Sequence, residues 1–139
     1  MYLQGRPLPR HPRELTELDG LVMRSPQSGK LRQWMLRHRD GEEAPLLLRP
    51  RLLLDDPDAL RHCALLGMGV ALLAMADVAE HLERGTLQRL LPDWHVDAGP
   101  IALYYASQRL LPAKTRAFVD FLTGHFEAAQ LARRFSATE

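Results

Sequence analysis

The aliphatic run Arg51-Leu52-Leu53-Leu54 stops at Asp55-Asp56-Pro57, and no other junction in the 139-residue chain constrains its fold as sharply. An aspartate at position 56 can accept hydrogen bonds from the first N–H groups of a helix. Pro57 suits the first helical position, where its missing N–H costs nothing. Leu60, Cys63, Ala64 and Gly67 then recur at the spacing of one helical face. Gly67 or Gly69 can end the helix, and Val70-Ala71-Leu72-Leu73 follows as an apolar run of strand length. Helices interleaved with short apolar strands imply an α/β sheet.

The flanking chain extends this reading. Pro7, Pro9 and Pro12 keep the first residues irregular, and Pro12 to Leu18 can make one or two helical turns ended by Asp19-Gly20. Leu21-Val22-Met23 fits a buried strand, and Ser25-Pro26-Gln27-Ser28-Gly29 has the composition of a loop. Gln33 to His38 and Ala44 to Leu48, joined through Asp40-Gly41, predict a hairpin, with Pro45 on an edge strand or at a strand start. Downstream, the pattern predicts a helix over 76–84 closed by Gly85, strands over 87–91 and 101–106, and a break at Pro92-Asp93-Trp94. A last helix opens at Pro112 and carries Phe118, Phe121, Leu122 and Phe126 on one face, with an extension towards Phe135.

Composition excludes several classes. Eighteen basic and seventeen acidic residues leave a formal charge of +1, which is not the balance of a chain that binds nucleic acid by charge alone. The single cysteine, Cys63, rules out an internal disulfide framework. No apolar stretch reaches the ~18 residues of a membrane span, and Met1 to Arg13 lacks the apolar centre of a secretory signal. A soluble, cytoplasmic protein is expected. Arg24, Lys30, Arg32, Arg37, Arg39, Arg49 and Arg51 can form a basic patch or simply a solvated face.

No catalytic set emerges. Gly67-Met68-Gly69 precedes a strand rather than opening a helix, so it reads as a helix stop and tight turn, not a dinucleotide fingerprint. Asp77 and His81 share a helix face at metal-ligand spacing, a pair that surface helices also carry by chance. Cys63 lies on the apolar face of its helix, and His62, its sequence neighbour, points elsewhere. Asp55 and Asp56 are explained by helix capping. No enzyme, metal or cofactor is expected. The Ser25–Lys30 loop, the Asp56 helix start and the Met68–Ala74 turn and strand are instead polar or glycine-bearing edges of a sheet. Such edges bind small anions where helix N-termini present free N–H groups.

One family combines these features in this order. Asp56 to Leu73, with its helix followed by Gly67-Met68-Gly69-Val70-Ala71-Leu72-Leu73, is similar to a segment of LysR-type transcriptional regulators. Gly85-Thr86-Leu87, Leu90-Leu91-Pro92-Asp93-Trp94, Tyr104-Tyr105-Ala106-Ser107 and Pro112 to Leu122 continue the resemblance. Tyr2-Leu3, Gly5, Pro9, His11-Pro12 and the Trp34 hairpin precede it, so the likeness covers roughly residues 2–126. The chain departs from the family at Ala74, where proline is usual.

The resemblance implies a partial fold like the type 2 periplasmic binding proteins, a Rossmann-like sheet with flanking helices. Residues 1–111 would form the second, effector-binding subdomain, and residues 112–139 the helix that returns to the first. Relative to the family, the chain looks like a fragment without the winged helix-turn-helix and most of the first subdomain. DNA would then be reached only through that absent reader. With the first subdomain missing, the Phe118, Phe121, Leu122 and Phe126 face would be a sticky apolar stripe. Carried over by position, the effector-facing residues are Ser25, Gln27, Ser28, Gly29, Leu54, Asp55, Asp56, Met68, Gly69 and Val70. They would hold a small organic effector, a carboxylate suiting the loop amides and hydroxyls. Arg51–Leu54 and its flanking helix would form a dimer surface with a second copy or a full-length relative. The alternatives are a stand-alone solute-binding or dimerising module and an inert truncation product.

Overall fold

A computed structural model of the chain describes residues 2–25, 28–104 and 111–137. Three parallel strands form the first sheet in the order β4 (Arg49–Leu54), β1 (Asp19–Met23), β5 (Val70–Ala71). Helix α1 (Pro57–Leu65) carries the chain from β4 across to β5, with β1 lying between the two strands. Asp56 caps α1 through its carboxylate, and Gly67 leaves it at φ +71°, a left-handed geometry that glycine adopts without a Cβ penalty. Leu60 on α1 and Leu21 on β1 are each 1% exposed and form the centre of this layer.

A second sheet is antiparallel, in the order β3 (Glu43–Pro45), β2 (Met35–His38), β6 (Trp94–His95). The Asp40-Gly41 turn closes the β2–β3 hairpin, with Leu36 opposite Ala44 and Gly41 at φ +92°. Pro45 sits on the edge strand, where its missing N–H breaks no ladder. The main core lies under this sheet: Leu15 and Leu18 from the 3-10 helix Pro12–Glu17 and its exit, Leu36, Ala44, Leu91 and Trp94.

Several sequence expectations are corrected. Asp19-Gly20 does not simply end the first helical turns but opens β1, because its groups are held there from several sides. The Asp19 N–H donates to Tyr2 Oη at 2.7 Å, and its carboxylate accepts from Arg49 at 2.6 Å and Arg51 at 3.0 Å. The strand expected over 70–73 is limited to Val70–Ala71, which finds a partner only at Gly20 and Leu21. Leu87 to Leu91 is not a strand: Leu90 and Leu91 enter the core as irregular chain, Leu91 at φ +50°, and the Trp94 N–H donates to the Leu91 carbonyl at 2.9 Å. The ladder passes instead to Trp94–His95, which begins at the last residue of the expected break. Of the strand expected over 101–106, residues 101–104 carry no ladder and the rest lie outside the described residues.

Helix α2 (Met75–Glu83) matches expectation within a residue at each end, and Gly85 follows it at φ +69°. The last helix does not run on to Phe135. It ends as α3 (Ala113–Ala128), the chain turns left-handed at Gln130, and α4 (Leu131–Arg134) follows. That turn brings Phe135 back onto Phe126, ring centres 6.1 Å apart and edge to face. Phe118 and Phe121 on α3 remain 58% and 71% exposed.

Gly69 passes against the backbone of Asp19, so closely that a Cβ there would overlap the Asp19 carbonyl oxygen. At Gly67 a Cβ would meet the Tyr2 main-chain nitrogen at an ordinary contact of 3.6 Å, so the positive φ is what resists a side chain. Gly69→Ala is therefore expected to lower stability by about 1–3 kcal/mol, as overpacking against unyielding atoms does. Gly67→Ala should cost about 1 kcal/mol, the typical left-handed penalty. Urea unfolding of the two variants checks the order.

The Asp19 carboxyl is held below its ordinary value of 3.8, first by the Arg49 hydrogen bond and further by Tyr2 and Arg51, against desolvation. A depressed carboxyl adds stability that is complete above its unfolded pKa and fades as pH falls through the native one. Asp19→Asn should lower the melting temperature at neutral pH, and the gap to the parent should narrow as acid enters the carboxylate range. A gap constant with pH, measured by thermal melts, would refute the assignment.

Candidate functional site

The strand directions decide which residues meet. All three strands of the parallel sheet point the same way, and the chain leaves β1 at Arg24-Ser25, β4 at Asp55-Asp56 and β5 at Leu72-Leu73-Ala74. Ser25, Leu54, Asp55 and Asp56, together with Ser28 and Gly29, are thus at one edge. Met68, Gly69 and Val70 enter β5 at the other, since Val70 pairs with Gly20 near the start of β1. Strand direction thus separates these three from the rest of the expected set. Residues Leu72 to Met75, which lead from β5 into α2, lie at the Ser25 edge. Gln27 lies outside the described residues.

The described residues of the loop after β1 are tied to one another. Arg24 and Leu31 form an isolated bridge, the Ser25 N–H donates to the Lys30 carbonyl at 2.9 Å, and the Gly29 N–H donates to the Ser25 carbonyl at 2.8 Å. Ser25 Oγ and Ser28 Oγ accept longer bonds, each 3.4 Å, from the Ser28 and Lys30 N–H groups. As acceptors, both hydroxyls retain their own O–H to donate elsewhere. Gly29, at φ +66°, makes the turn.

The start of α1 differs from the expected anion site. Pro57 has no N–H, the Asp58 and Ala59 N–H groups donate to the Asp56 carboxylate at 3.3 and 3.1 Å, and the Leu60 N–H donates to the Asp56 carbonyl. The first-turn donors are consumed, and Asp55 and Asp56 add negative charge beside them. Asp55 is tied by Arg24 at 3.3 Å, while the Arg24 N–H donates to the Leu54 carbonyl at 2.7 Å. Helix α2 starts at the same edge on Ala74, and no side chain caps it.

Of the two readings of the basic side chains, patch or solvated face, the ion pairs favour the second. Arg24 faces Asp55, Arg37 faces Glu43, Arg39 faces Asp93, and Arg49 and Arg51 share Asp19. Arg32 instead lies over the Trp34 ring, its guanidinium carbon 4.2 Å from the ring centre. The other singled-out groups are engaged locally. His62 Nδ1 is 2.7 Å from the Asp58 carbonyl, so the ring does not serve half-buried Cys63. His81 Nδ1 is 3.2 Å from Thr86 Oγ1, and among the described residues no group of three or more His, Cys, Asp or Glu side chains is placed to hold a metal ion.

A concavity of about 1420 Å³ runs along the free side of β5, past Gly69, Val70 and Leu72 to Met75, and reaches Arg32 and Trp34. It exceeds the ~300–1,000 Å³ of an enclosed small-molecule site, so it is an open face. Beside it a hollow of about 150 Å³ is lined by Met23, Leu31, Arg32, Trp34 and Leu72 among others.

Parallel strands with a loop-lined end and flanking helices make an α/β fold like that of the periplasmic binding proteins. The profile of the LysR substrate binding domain matches residues 2–127, and the chain belongs to that family. It is 31% identical over 126 residues to the HTH-type transcriptional regulator YcaN of Escherichia coli K12, covering 90% of this chain and 40% of that protein. It is 39% identical over 87 residues to the HTH-type regulator PtxR of Pseudomonas aeruginosa, covering 63% of this chain and 28% of that one. The chain thus spans 40% or less of these relatives. In structure it resembles the regulatory domain of AphB from Vibrio vulnificus, with a TM-score of 0.69 at 24% identity over 89% of this chain and 60% of that one. Full-length AphB of Vibrio cholerae, a virulence activator, gives 0.68 at 26% identity over 89% of this chain and 41% of that one. Among the described residues no helix is long and apolar enough to cross a membrane.

The edge residues separate in energetic terms. Asp56→Ala should cost about 1 kcal/mol, the typical loss for an N-cap, whereas Asp55→Ala breaks one exposed ion pair and should cost under ~0.5 kcal/mol. Urea denaturation of both variants tests this, and equal losses would contradict the capping geometry.

Proposed function

We propose that the chain is the effector-sensing part of a LysR-type transcriptional regulator and that it controls DNA binding by the whole protein. Family membership over residues 2–127 is the observation that carries the reading. The relatives are named as HTH-type transcriptional regulators, which favours a regulatory role over catalysis. The effector is a small organic molecule held at the edge formed by Ser25, Ser28, Gly29, Leu54, Asp55 and Asp56. Two serine hydroxyl donors on one side, and the apolar concavity on the other, suit a ligand with a polar head and an apolar body. Gly69 and Val70 line that concavity from the opposite end of β5 and would meet the ligand only along its apolar length. Met68 sits with them at that far end and is left out of the polar contact set. Association with a second copy belongs to the same reading: β4 is an edge strand and Leu53 on it is 50% exposed.

A thermal-shift screen of the chain against organic acids, their amides and amino acids tests the reading. A ligand that binds only the folded chain raises the melting temperature as its concentration increases. The expected result is a dose-dependent rise that Ser28→Ala reduces. A cooperative melt that no compound moves would count against a ligand edge within this chain.

A further inference from the structure

The basic residues between Arg24 and Arg51 differ in one respect that bears on ligand choice. Arg24, Arg37, Arg39, Arg49 and Arg51 each have a carboxylate within ion-pair distance. Among the described residues Arg32 and Lys30 have none, and of the two only Arg32 rests on an aromatic ring. Its guanidinium is kept in place by the Trp34 ring, 4.2 Å beneath it, and its main-chain N–H donates to the carbonyl of Met23, the last residue of β1, at 3.1 Å. An exposed arginine normally samples many rotamers, and stacking on an indole face removes much of that freedom while leaving all five N–H donors unused. Position matters as much as charge. Arg32 lines the 150 Å³ hollow with Met23, Trp34 and Leu72, at the end of the sheet where β1 and β5 terminate. A cavity of roughly that size holds one benzene ring.

We propose that Arg32, laid on Trp34, is the specificity-determining residue of the ligand edge, and that it selects a small monocarboxylate whose apolar body is no larger than one ring. The inference rests on the ligand-edge reading above and adds to it both the residue and the chemical class. The carboxylate takes paired N–H donors from the guanidinium, a geometry lysine cannot reproduce. The ring-sized body fills the hollow against Met23 and Leu72. Asp55 does not compete for Arg32, because Arg24 already engages it.

The test uses benzoate and its neutral counterpart benzamide, titrated into the chain and followed by the Trp34 indole N–H signal in NMR, assigned with Trp34→Phe. A charged hydrogen bond is worth enough that benzoate should bind about tenfold more tightly than benzamide. Arg32→Gln should remove that preference while changing benzamide binding less than about twofold, and Arg32→Lys should restore only part of it. An unchanged thermal melt establishes that the variants fold. If the preference for benzoate survives Arg32→Gln, Arg32 is not the selecting residue, although the ligand edge stands. If neither compound, nor any member of the wider acid and amide screen, shifts a resonance at residues 23–34 or 54–56, the ligand edge itself fails and the inference with it.

Discussion

Every polar group of Asp19 is committed to a different part of the chain, and the parallel sheet is assembled around that residue. Its N–H binds the Tyr2 hydroxyl, its two carboxylate oxygens bind Arg49 and Arg51 on β4, and its carbonyl packs against Gly69 ahead of β5. A largely buried carboxylate is costly unless its lone pairs are satisfied, so this set of partners fixes where β1 begins. Fixing that start also fixes the register of β4 and β5 on either side. The opposite end of the sheet is left with loops, and the polar groups that can meet a ligand are found there.

The division between a rigid end and a loop end explains which parts of the fold were legible in the sequence. Helix α1 was legible because both of its boundaries rest on local chemistry, the Asp56 carboxylate and the freedom of Gly67. The β2–β3 hairpin was legible from Asp40-Gly41 for the same reason. Leu87 to Leu91 was misread because an apolar run records only that a segment is buried. Leu90 and Leu91 are packed into the core, but the neighbouring ladder positions are taken by Trp94 and His95. The break at Gln130 carries no glycine or proline signal, and the contact that accompanies it, Phe135 on Phe126, is tertiary.

The candidate site was legible in its loop and not in its geometry. The composition of Ser25 to Gly29 marks a turn with hydroxyl donors, and the resemblance to the family brings in Asp55 and Asp56. Strand direction, which a motif does not encode, separates Met68–Val70 from them. Pairing was equally hidden: nothing in the order of the basic residues distinguishes Arg32, stacked on Trp34, from its carboxylate-bound neighbours. The first-turn donors of α1 are consumed by Asp56, as its capping position implies, so the helix start offers no free pair of N–H groups.

Trp94 has a consequence of another kind. Its ring is flanked by His11 and His38, with ring centres 5.2 and 5.0 Å away, and its strand completes the β3-β2-β6 sheet. The hairpin it joins is local and can form early, but β6 is separated from it by the whole β4–α1–β5 crossover and α2. Closing so long a loop carries an entropy cost that rises only with the logarithm of its length, yet it is met before the contact returns anything. Trp94 can therefore be buried only when the hairpin meets chain that has already passed through the parallel layer, so one side chain joins two parts of the fold that are far apart in sequence.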